Sequence, residues 1–150
     1  MKHLAALPRP LRFFAEPFEN WTAGACLLTG VPAMIGTTRP QSLARALHGF
    51  PWLLHAWGAL LCLGAVATLF ARWRIGQPQT DLGYRSARSL EVVGLVTLAT
   101  ATTVYAVAIM AVGVPGLAAG SITASAAGAC AMRAWIVSRE LKRERQGTDV

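Results

Sequence analysis

Four long stretches of the chain carry almost no charge, and short polar breaks separate them. They cover residues 21–38 ("WTAGACLLTGVPAMIGTT"), 51–71 ("PWLLHAWGALLCLGAVATLFA"), 90–112 and 117–137 ("LAAGSITASAAGACAMRAWIV"). A bilayer core about 30 Å thick takes roughly 20 apolar residues as helix, with about 17 as a practical minimum, so each stretch predicts one transmembrane helix. The first carries Pro32, which removes a helical hydrogen bond and is expected to kink or end that helix. The turn "GVPG" at residues 113–116 is too short to join anything but neighbours, so spans three and four are expected to form an antiparallel hairpin. The expected fold is therefore all-α: a polytopic membrane protein forming a single domain.

The polar breaks carry their own pattern. In "RPQSLARALHGFP", Leu43, Ala46, Leu47 and Phe50 fall at helical spacing and predict a short helix on the outer surface. Residues 1–20 combine basic residues with Leu11, Phe13, Phe14 and Phe18, which suits an interfacial entry segment broken by prolines. The basic tail, residues 138–150, is expected to continue span four as helix for two turns, with Glu140 and Arg143 paired at i, i+3, until Gly147 ends it.

Composition agrees with the pattern. Of 150 residues 54% are hydrophobic and 14% charged, and mean hydropathy is +0.44, too apolar for an ordinary soluble domain. The net charge of +7 does not point to nucleic acid, because the basic residues flank apolar runs and do not interleave with aromatics on one surface. It instead sets orientation. Lys2, Arg9, Arg12, Arg72, Arg74, Arg85, Arg88, Arg133, Arg139, Lys142, Arg143 and Arg145 fall on one side, Arg39 and Arg45 on the other, which places both termini in the cytoplasm. Trp21, Phe70, Trp73, Tyr84 and Trp135 cluster at the expected inner boundary, and Phe50, Trp52 and Trp57 at or near the outer one.

Candidate chemistry is sparse. No catalytic, cofactor-binding or metal-binding residue set is expected, no enzymatic role, and no small-molecule substrate. Cys26, Cys62 and Cys130 lie within apolar runs with no C-x-x-C spacing and read as packing residues. Cys26 comes too early in its run for a lipoprotein signal, and no cleavage site follows that run, so it is expected to stay in the mature protein. His48 and His55 share a helical face, but at a wet membrane edge they read as interfacial hydrogen-bonders. Thr97, Thr100, Thr102, Thr103 and Tyr105 give span three a hydroxyl-bearing face, a pore lining or simply groups bonded to the preceding turn.

Two features carry more. Glu91, at the mouth of span three, and Arg133, about 24 Å down span four, fall at the same depth of the hairpin, which predicts an interhelical ion pair fixing its rotation. The alternative is that both snorkel, with Arg88 serving Glu91 from i−3; a proton or ion pathway is a third reading. Gly120, Ala124 and Gly128 form a small-xxx-small stripe, for oligomerisation or for packing within one bundle.

Arg outnumbers Lys 12 to 2 and Ala and Gly abound, as in GC-rich coding backgrounds such as actinobacteria and their viruses. The pattern "SLEVVGL…VYAVAIM" followed by "RAWIVSREL", over residues 52–141, resembles the small four-span membrane proteins of actinobacterial phages and prophages, some of them holin-like. That resemblance implies a cytoplasmic-membrane protein of viral origin that accumulates, self-associates through small-residue faces and opens lesions releasing a cell-wall lysin. The competing expectations are a non-lytic structural or accessory protein and a small redox or transport enzyme.

Overall fold

A computed structural model describes residues 17–37, 40–46, 50, 52–78, 80–111 and 113–146. Among these residues all regular structure is helical: α1 Pro17–Met34, α2 Gln41–Ala46, α3 Trp52–Ile75, α4 Asp81–Met110 and α5 Val114–Gln146. The segment 1–16, Leu47, His48 and Gly147 lie outside the described residues, and with them the expected interfacial entry, the second half of the short surface helix and the tail's stop.

Each helix boundary has a local cause. Pro32 sits inside α1, which runs on for only two residues, to Met34. The chain then closes through Thr37 N–H donating to Pro32 O at 2.9 Å and turns at Gly36, whose φ of +76° suits glycine. Pro32 thus sits in the last turn of the helix and does not bend its middle. Thr80 caps α4, its Oγ1 accepting from Gly83 N–H at 3.3 Å, and Asp81 meets the positive end of the helix dipole in the first turn. Gly113, at φ +102°, reverses the chain between α4 and α5, and Pro115 stands in the first turn of α5, where its missing N–H costs nothing.

Consecutive long helices pack antiparallel, α1 on α3, α3 on α4 and α4 on α5. Glycines sit at all three contacts, and at two of them they face glycines of the neighbouring helix. A Cβ built at Gly94 would lie 2.5 Å from Thr68 Oγ1 and 3.0 Å from Gly64 O; one built at Gly58 would lie 2.6 Å from Met34 N and 2.8 Å from Gly30 O. At both places bare backbone lets the helices approach where a methyl group would force them apart. The core joins all of them: Cys26 of α1, Leu61 of α3, Leu98 of α4 and Cys130 of α5 are buried in one cluster. Leu43 of α2, fully buried, joins it, so the short helix plugs the end of the bundle besides lying on it.

At 1.5 Å per residue the 30 residues of α4 span about 45 Å and the 33 of α5 about 50 Å, longer than a 30 Å hydrocarbon layer requires. The excess lies at one end, where residues 81–89 of α4 run beside the last turns of α5. Two helices, α3 and α4, are long and apolar enough to cross a membrane, with mean hydropathy of 1.9 and 2.0.

Candidate functional site

Glu91 is the chain's buried carboxylate among the described residues, 1% exposed, although it stands at the polar end of α4. Arg88, one turn earlier, donates from Nη1 to Oε2 of Glu91 at 3.0 Å, and Arg133 of α5 brings Nη2 to 3.9 Å from Oε1. The first is a hydrogen bond; the second is ion-pair distance only. Both partners weighed from the sequence thus converge on one carboxylate, with Arg88 closer.

Arg88 does more than serve Glu91. Its Nη2 donates to Glu140 Oε2 of α5 at 2.9 Å, its Nε to Tyr84 Oη at 3.1 Å, and its guanidinium stacks over the Tyr84 ring. The expected pairing of Glu140 with Arg143 is thereby corrected: Glu140 turns across the hairpin, because the long start of α4 brings Arg88 alongside the tail. Two arginines and two glutamates form a charge-balanced cluster, which offsets part of the penalty that a lone buried charge carries.

The hydroxyls of α4 bond to the preceding turn of their own helix. Thr97, Thr100, Thr102 and Thr103 donate to the carbonyls of Val93, Val96, Leu98 and Ala99 at 2.6–2.9 Å, each within its own helix. Tyr105 stacks on Trp57 with ring centroids 5.2 Å apart. Trp57 itself departs from the expected outer belt: it is buried, and its indole N–H donates to Ala101 O of α4 at 2.9 Å. Of the other boundary aromatics, Trp21, Phe50, Trp52, Phe70, Trp73 and Trp135 are exposed and Tyr84 is half-buried.

The small-residue stripe divides. Gly120 is buried, its missing Cβ occupied by Met110 and Ala106 of α4. Ala124 and Gly128 face outward, and a Cβ at Gly128 would meet nothing within 4 Å. Burial on α5 instead follows Gly116, Gly120, Ala127, Cys130, Ala134, Val137 and Leu141, the three-and-four spacing of a helix seam. Seen with Ser121, Ser125 and Ala131, also exposed, the outward half of the stripe is a patch of small residues, flanked on the same face by exposed Leu117, Met132 and Trp135.

Cys26, Cys62 and Cys130 carry no disulfide, and no group of three or more metal-ligating side chains occurs among the described residues. Cys62 Sγ closes the α1–α3 crossing, 3.0 Å from where a Gly30 Cβ would be. Between α4 and α5 a groove of about 560 Å³ opens outward, lined mostly by apolar side chains with Trp135 and Ser138 on its α5 wall.

No family model matches the chain, and no curated protein or solved structure shows significant similarity to it.

Proposed function

We propose that the chain is a four-span protein of the cytoplasmic membrane with both termini inside, and that its copies associate and, once accumulated, permeabilise that membrane in the manner of a holin. The membrane reading is supported by where the apolar surface lies. Only 39% of the apolar window of α3 and 44% of that of α4 is buried, whereas the core helix of a soluble protein hides most of its surface. Leu60, Leu63, Val66, Val93, Val96, Val104 and Val107 point outward along both helices, a surface that lipid solvates and water does not. Helices α1 and α5 are less oily; in a bilayer such spans associate through small residues and close backbone approach. The arginines near the α3–α4 connection and along the end of α5 set the orientation.

The observation that carries self-association is the outward half of the α5 stripe. Within one copy, Gly120 alone of Gly120, Ala124 and Gly128 is used. A second copy brought against Ala124 and Gly128 gains close backbone approach between the exposed side chains of Leu117 and of Met132 and Trp135.

A second reading, a non-lytic structural or accessory membrane protein, is favoured by the interior. It is packed with Leu, Ala and Cys, and the threonine hydroxyls donate within their own helix. Inducing the chain in bacteria with a potential-sensitive dye separates the two. The holin-like reading expects depolarisation and large oligomers in mild detergent, both reduced by Gly128→Leu. Harmless expression and one discrete small complex would decide for the second.

A further inference from the structure

The groove between α4 and α5 has the dimensions and the chemistry of a site for one lipid chain. Its walls are Val96, Ala99, Val104 and the methyls of Thr100 and Thr103 on α4, and Ala131, Ala134 and Trp135 on α5. The hydroxyls within it have no proton left to donate to a ligand: Thr100, Thr103 and Ser138 donate to Val96, Ala99 and Ala134 carbonyls at 2.9, 2.7 and 2.8 Å. From Val96 to Val104 the α4 wall runs about 12 Å, close to the depth of one leaflet's hydrocarbon.

The α5 wall ends in charge. Arg139, exposed, lies over the Trp135 ring at 3.9 Å from its centroid, a contact that holds the guanidinium at the rim. Its neighbour Glu140 is engaged by Arg88 across the hairpin, so the local acid does not neutralise it. Among the described residues no carboxylate pairs with Arg139.

We propose that this groove binds an anionic phospholipid, one acyl chain lying between α4 and α5 along Trp135 and the phosphate on the Arg139 guanidinium. The inference rests on the membrane-spanning reading above. An apolar trough that a cation closes at headgroup level matches an anionic amphiphile, and a zwitterionic lipid gains less because its own cation offsets the phosphate.

The test reconstitutes the full chain in phosphatidylcholine vesicles containing a minor fraction of phosphatidylglycerol, with bromine on the acyl chains of one lipid or the other. The quenching of Trp135 is read as the difference between the chain and its Trp135→Phe variant. Brominated phosphatidylglycerol is expected to quench Trp135 about five-fold more than its mole fraction predicts, the preference that one added cation gives near a membrane surface. Arg139→Gln should abolish that preference, and Arg143→Gln, on the same helix and also exposed, should keep it.

Equal quenching by the two lipids would overturn the site. So would quenching of Trp52 and Trp73 without Trp135, which would mean that protein, such as a second copy, covers the groove; in both cases the membrane reading survives. Loss of quenching at every tryptophan would remove the membrane reading and the site together.

Discussion

Arg88 on α4 and Glu140 on α5, 52 residues apart in sequence, meet at 2.9 Å and tie the two longest helices together beyond their apolar spans. The same arginine holds Glu91, so the outer bond and the buried one share a cation. Arg133 stands farther off, 3.9 Å from Glu91.

The two carboxylates should differ in their effect on stability. Glu91→Gln removes the buried charge between two arginines and is expected to cost about 3 kcal/mol. Glu140→Gln, at a side chain 46% exposed, should cost under about 1 kcal/mol. Thermal melts of both variants in one detergent compare them; equal losses would contradict the geometry.

A charge swap tests the order of partners. Glu91→Arg with Arg133→Glu places the new arginine beside Arg88, so the swap should recover only part of the expression lost by Glu91→Arg alone. Adding Arg88→Gln, which removes the like charge and gives up only the half-exposed bond to Glu140, should recover more. Full recovery by the double variant would make Arg133 the principal partner.

Glycines predict opposite outcomes by location. Gly94→Ala drives a methyl against Thr68 at the α3–α4 crossing and should destabilise by about 1–3 kcal/mol. Gly128→Ala meets no atom within 4 Å and should stabilise the monomer by roughly 0.5–1 kcal/mol through helix propensity. Denaturation followed by circular dichroism in mixed micelles measures both.

Trp57→Phe deletes the donor to Ala101 O while keeping most of the apolar volume. The expected loss is about 1–2 kcal/mol, with disappearance of the most blue-shifted part of the tryptophan emission. Unchanged emission would mean that Trp57 stands at the membrane edge as its sequence position suggests.

Helix placement was largely legible because charge-free runs and their breaks are a coarse signal: the runs at 51–71 and 90–112 lie within α3 and α4 except for their first or last residues. The hairpin was legible because "GVPG" leaves no room for another connection. The facing of individual residues was not. In a span that is apolar all round, periodicity does not separate lipid from core, so Trp57 read as a boundary aromatic and Gly120, Ala124 and Gly128 read as one stripe. The Glu140 contact was hidden for a different reason. Residues 81–89 are polar and lie before the apolar run, so nothing in hydropathy announced that α4 begins at Asp81 and carries Arg88 up to the tail. The cue was present in Thr80 and Asp81, a cap and a first-turn acid at the start of a helix.

The central claim is that the chain crosses the bilayer with the α3–α4 connection on the cytoplasmic side and the α4–α5 turn outside. Cysteine placed at Gln77 and at Ala111, both bordering these connections, and challenged with a membrane-impermeant thiol reagent on intact spheroplasts, tests it most directly. Labelling at Ala111→Cys in intact cells, with Gln77→Cys labelled only after permeabilisation, is the predicted result. Labelling of both positions from the same side, or release of the protein by alkaline carbonate, would contradict it.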